Sequence, residues 1–204
     1  VSQDDPWLIL LVAGISAWLF RQWVQDYRDA RKGSPHPRAL PGAVPCAGVT
    51  VAVAVLGALV LLAVETLGEN RLGVSAQQKD ITGLFLVAMV AAAFYEELMF
   101  RGFLVVENRG RAALLAGIFG CSALFALLHP FLWDWKDGAF VLDFSTKACW
   151  STTMVFVFSL WQYTVRCFGL NPRRSLIPCC AGHLAKNLGV FAIKLAQGHV
   201  TGWW

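Results

Sequence analysis

Three pairs of residues, each four apart, stand out inside otherwise apolar segments: Glu97 with Arg101, Phe125 with His129, and His183 with Asn187. Residues at this spacing share one face of a helix. A charge near the middle of a spanning helix costs on the order of 3 kcal/mol on the insertion scale, so Glu96, Glu97 and Arg101 persist only if they pair, face a wet cavity or do chemistry. Glu97 and Arg101 can neutralise each other as a salt bridge. Glu96 is turned about 100° away around a helix of 3.6 residues per turn, which leaves it free for another partner. A lone histidine in such a helix is ordinarily a satisfied hydrogen-bonding group. Two histidines, an amide and a surplus carboxylate in one bundle supply more: a base (Glu96), a proton carrier (His129) and hydrogen-bond donors (His183, Asn187). Those are the parts needed to activate water and hold an oxyanion. Amide hydrolysis inside the membrane is the reaction class that fits.

The elements that must position these residues are membrane helices. The 204 residues are 57% hydrophobic and 15% charged, with a mean hydropathy of +0.56, against about 45–50% apolar and 25% charged in a soluble domain. Apolar runs cover residues 7–24, 46–67, 81–106, 112–133, 144–168 and 176–197. At about 20 apolar residues per crossing, they predict an all-α, polytopic bundle of about six transmembrane helices, forming a single membrane-embedded domain over residues 1–204. Lys and Arg gather on alternate loops, ten on one side and four on the other. By the positive-inside rule, both termini are expected outside the cytoplasm. Trp7, Trp23, Trp133, Trp135, Trp203 and Trp204 fall at span ends, where an aromatic belt belongs. The first run is read as a retained helix, because Ser2, Gln3, Asp4 and Asp5 before it do not make the basic start of a secretory signal. A net charge of +4, dispersed along the chain, gives no footprint for nucleic acid. The six cysteines contain no C-x-x-C pair and are expected to pack as small apolar side chains.

On the motifs themselves the chain resembles a known family. The segment Phe94-Tyr95-Glu96-Glu97-Leu98-Met99-Phe100-Arg101-Gly102 is similar to the Glu-Glu-x-x-x-Arg motif of the CPBP family, the CAAX prenyl proteases and bacteriocin-processing enzymes. Phe125 to His129 resembles that family's Phe-x-x-x-His motif, and His183 to Asn187 its His-x-x-x-Asn motif. The three occur in order on separate predicted helices, so residues 81–197 are the expected catalytic core. The resemblance implies an intramembrane endopeptidase acting on peptide or prenylated-protein substrates, with membrane lipid around it. It implies Glu96, Glu97, Arg101, His129, His183 and Asn187 as the site, with Glu96 and His129 activating water while His183 and Asn187 hold the oxyanion. Members have been described both as zinc enzymes and as glutamate proteases. An asparagine, and a glutamate already paired with arginine, are poor zinc ligands, which favours metal-independent chemistry. A bacterial inner membrane is the expected location.

Two features sit awkwardly with that reading. Trp161 and Tyr163 occupy a segment that is commonly small in this family, and would narrow a substrate cavity. At 1.5 Å per residue, Glu96 and His183 lie roughly 10–20 Å from their cytoplasmic helix ends and His129 roughly 26 Å. A tilted or broken helix is needed to bring them level. The alternative is a catalytically inactive relative serving as a structural or assembly subunit alongside other membrane subunits. A proton-relay transporter would show inverted repeats, and the chain has no evident repeat.

Overall fold

A computed structural model describes residues 5–136, 138–167 and 169–204. Residues 2–4, on which the signal-peptide reading rests, and Phe168, the expected end of the fifth run, lie outside them. Among the described residues six α-helices follow in order: α1 (Pro6–Arg31), α2 (Gly48–Arg71), α3 (Phe85–Glu97), α4 (Arg111–Leu128), α5 (Thr146–Cys167) and α6 (Ile177–Ala196). By length and composition α1, α2 and α4 can each cross a membrane. Among the described residues a small antiparallel hairpin, β1 (Trp133–Lys136) with β2 (Ala139–Leu142), and an isolated parallel bridge between Ile81 and Val200 depart from an all-helical fold.

Burial is distributed as a bilayer solvent requires. Trp7 is 81% and Leu56 63% exposed, whereas Glu97 and Arg101 are completely buried. Lipid tails are as apolar as leucine, so apolar outer faces carry no penalty there, while charges must find partners inside. The six cysteines are free thiols.

Local chemistry explains the elements. Asp5 caps α1 by accepting from the backbone N–H groups of Trp7 and Leu8 at 2.9 and 3.2 Å, with Pro6 at the first helical position, where its missing N–H costs nothing. Helix α1 lies parallel to α3: Ser16 Oγ donates to the Ala91 carbonyl at 3.2 Å, and Phe20 packs edge-on against Phe94. Helix α2 meets α5 and α6 through small residues. A Cβ added at Gly57 would stand 2.2 Å from the Trp161 ring, and one at Gly182 would stand 3.0 Å from the Ala54 carbonyl oxygen. Such close approach is how membrane helices gain packing energy.

Several boundaries differ from the hydropathy runs: α1 runs on to Arg31 and α2 to Arg71, past the expected ends at residues 24 and 67. Residues 81–84 are not helical but are strapped by the C-terminal segment, with Ile81 N–H donating to the His199 carbonyl and Leu84 N–H to that of Trp203, both at 2.9 Å. Helix α3 changes to a π-helical turn over Leu98–Phe103. Helix α4 stops at Leu128, short of the expected residue 133, because Pro130 disfavours the α conformation at the residue before it. His129 accordingly has an extended ψ of 126°.

The bulky residues of α5 also point elsewhere than expected. Trp161 donates its indole N–H to the Ala54 carbonyl at 3.2 Å, and buried Tyr163 donates to the Phe100 carbonyl at 2.7 Å. Neither lies over the histidines. Phe158 does, with its ring 5.2 Å from that of His183.

Candidate functional site

The π-turn is the element that shapes the site. A wider turn frees carbonyls that an α-helix would satisfy, and α5 takes them up: Tyr163 Oη donates to Phe100 and Leu104, and Arg166 Nε to the Arg101 carbonyl at 3.0 Å. Such turns recur at functional sites. Immediately before this one stand Glu96 and Glu97.

Glu97 Oε1 lies 3.2 Å from Arg101 Nη1 and 2.7 Å from His183 Nδ1. Glu97 is therefore more than the salt-bridge partner the spacing indicates, because it also orients an imidazole on α6. Arg101 extends the network through Nη2 to the hydroxyl of Ser159 at 2.6 Å, and Ser159 Oγ donates to Ser122 Oγ at 3.0 Å. The guanidinium carbon also sits 4.6 Å from the Phe125 ring centroid and 4.9 Å from that of Tyr163. One ion pair thus ties α3, α4, α5 and α6 together.

Glu96 faces the other nitrogen of the same ring. Its Oε2 is 3.9 Å from His183 Nε2, and Oε1 accepts from Tyr95 Oη at 3.2 Å. The Glu96 side chain keeps 18% exposure while that of Glu97 has none. Each carboxylate has a buried Oε2 without a hydrogen bond among the described residues. The difference is that Glu97 has a cation against it and Glu96 does not.

His129 is level with this cluster despite lying at the far end of α4. Helices α3 and α4 run in opposite directions with Phe100 and Phe125 edge to face at 4.9 Å. One turn back along α3 reaches Glu96, and one turn onward from Phe125 reaches His129. The Phe125 ring stands 4.7 Å from His129 and 6.3 Å from His183, and His129 is within electrostatic reach of Glu96 and His183.

Hydrogen-bond partners assign the imidazole nitrogens. His129 Nδ1 lies 2.8 Å from the Phe125 carbonyl, which only accepts, so Nδ1 carries the proton and Nε2 is the acceptor in the neutral ring. The same reasoning at Glu97 puts a proton on His183 Nδ1. Asn187 donates to the Met89 carbonyl at 2.8 Å, about two turns before Glu96, which leaves one amide N–H for other use.

A second ion pair lies one turn along α6 from His183. Buried Lys186 has its Nζ 2.8 Å from Glu65 Oε2 on α2 and 5.2 Å from the Phe158 ring. Sequence reasoning passed over Glu65, Ser122, Ser159 and Gln162. A signal was present, since Ser159, Gln162, Tyr163 and Arg166 follow the i, i+3, i+4, i+7 pattern of one helix face. Among the described residues, no three of His, Cys, Asp and Glu are gathered as metal ligands would be. Glu97 is already shared by Arg101 and His183.

Fold and site together define a class: a helical membrane protein with two carboxylates and two imidazoles held among its helices. The model of the family described as type II CAAX prenyl endopeptidase Rce1-like matches residues 78–189, more than half of the chain, and the chain belongs to that family. No curated protein and no solved structure matches it.

Proposed function

We propose that this chain cleaves peptide bonds within the membrane with Glu96 as the base, on peptides or isoprenylated protein C-termini. The observation that carries this is the contrast between adjacent carboxylates: Glu97 is locked by Arg101 and His183, while Glu96 is accessible and faces an imidazole acceptor at 3.9 Å. Water held between Glu96 and the acceptor nitrogen of His129 loses a proton to Glu96 as its oxygen bonds to the scissile carbonyl carbon. The oxyanion so formed needs donors. The second N–H of Asn187 is one; His183 Nε2 is another only when the ring carries a second proton. Glu96 then returns the proton to the leaving nitrogen as the C–N bond breaks, giving a carboxylic acid and an amine.

The arrangement proposed with it is one membrane-embedded unit of six spans whose core is residues 81–197, in a bacterial inner membrane with both termini outside the cytoplasm. The test is cleavage of an isoprenylated peptide by the protein in lipid, read by mass spectrometry. The parent should cut and Glu96→Gln should not. Full activity in Glu96→Gln would remove Glu96 as the base.

A second reading rests on the buried Glu97–Arg101–Ser159–Ser122 chain, which joins its helices whatever happens at Glu96. A non-catalytic subunit would keep that chain and cut nothing. It is favoured if no peptide is cleaved while Glu97→Ala still disrupts the protein or a complex containing it.

A further inference from the structure

Below the π-turn, at the end of the bundle that carries Arg28, Arg31, Arg111 and Arg174, a groove of about 560 Å³ opens between the 41–44 loop, the residues after α3 and the end of α5. Its walls include Pro41, Val44, Gly102, Val105 and three arginines, Arg166, Arg173 and Arg174. Arg174 is matched by Glu107, which also lines the groove, at 2.6 Å. Among the described residues the other two cations have no carboxylate paired with them. Arg166 is only 5% exposed, and although its Nε donates to the Arg101 carbonyl, its buried Nη1 has no hydrogen bond among the described residues. A buried guanidinium N–H without an acceptor is costly, and its position in the wall of a cationic groove says what would satisfy it.

We propose that this groove binds the phosphate of an anionic phospholipid headgroup, with Arg166 Nη1 and Arg173 as its donors. Guanidinium groups suit phosphate oxygens because their N–H groups present a planar fork, and basic pockets between membrane helices are established headgroup sites. The surroundings favour a lipid over free phosphate. Arg173 also borders a second groove of about 360 Å³ lined by Pro45, Ala47, Thr50 and Leu170, an apolar wall suited to glycerol and the first acyl carbons. The walls are held in advance: Leu176 N–H donates to the Gly42 carbonyl at 3.0 Å, and Ser175 Oγ to that of Val44 at 2.6 Å. Gly42 has φ +67°, and a Cβ there would stand 2.8 Å from the backbone nitrogen of Leu176, so the loop closes only with glycine.

The test is thermal unfolding of the protein in nanodiscs of phosphatidylcholine, of phosphatidylcholine with phosphatidylglycerol, and of phosphatidylcholine with added inorganic phosphate. Phosphatidylglycerol should raise the parent's melting temperature by about 3 °C, the shift that about 1 kcal/mol gives a chain of this size. Arg173→Ala and Arg166→Gln should lose that rise. Arg28→Ala, an exposed arginine at the same end but away from the groove, should keep it. Should Arg166→Gln fail to fold, Arg173→Ala decides, since Arg173 is exposed. Absence of the rise in the parent, or equal rises in parent and both groove variants, would overturn the site. A rise with inorganic phosphate equal to that with lipid would overturn the lipid assignment.

Discussion

Glu96 and Glu97 are adjacent and chemically identical, and neighbours on other helices give them different tasks. Glu97 and Arg101 are both fully buried, so removing either leaves an uncompensated charge. Breaking such a pair typically costs about 3–5 kcal/mol. Glu97→Ala should therefore lower the melting temperature sharply or abolish expression, whereas Glu96→Gln should leave the melting temperature at the parent's value. The His129 ring is tied to its own helix by a bond to the Phe125 carbonyl and has no hydrogen bond to another helix among the described residues. His129→Ala should keep the fold and lower kcat for the peptide by about 10²–10⁴, the usual contribution of a positioned acid or base. A loss of stability in place of a loss of rate would make His129 structural.

At the scale of elements, the π-turn Leu98–Phe103 and the face of α5 that serves it work as one unit. Tyr163 shares its one O–H between two carbonyls, at 2.7 and 3.1 Å. Tyr163→Phe keeps the ring and strands both acceptors, at a cost of about 1–3 kcal/mol readable as a lower melting temperature. Because that turn carries Arg101, which holds Glu97 in place, the same variant should also lower kcat. Unchanged kcat with lowered stability would separate the turn from the site. The α2–α5 contact is tested by Gly57→Leu, which drives a side chain into Trp161 and should destabilise by about 1–3 kcal/mol.

At the scale of the molecule, the helices form a bundle whose polar groups point inward and whose two ends differ in charge. Orientation is the property of the whole that the Lys and Arg bias proposes. Ser34→Cys, in the loop after α1, should react with a membrane-impermeant thiol reagent only from the cytoplasmic side. Ala139→Cys, in the hairpin, should react only from the other side, both in a Cys149→Ser background because Cys149 is exposed. The reverse pattern would put the basic end, and with it the arginine-lined groove, on the outer face.

Periodicity and hydropathy made the helices legible, because a span in lipid must be long, apolar and internally hydrogen-bonded; α5 and α6 match their runs to within about two residues on that ground. The pairing of Glu97 with Arg101 was legible too, since both lie on one helix and four residues define the distance between them. What lay beyond reach depends on partners far apart in the chain. His183 bridges the two carboxylates across 86 positions at Glu97, and Ser159 completes Arg101 across 58. Lys186 finds Glu65 on a helix that no motif marked. The levelling of His129 with Glu96 needed two things no spacing rule contains: the break of α4 before Pro130, and the antiparallel register of Phe100 against Phe125. Local sequence decides which face a side chain takes on its own helix; only the packing of helices decides what that face meets.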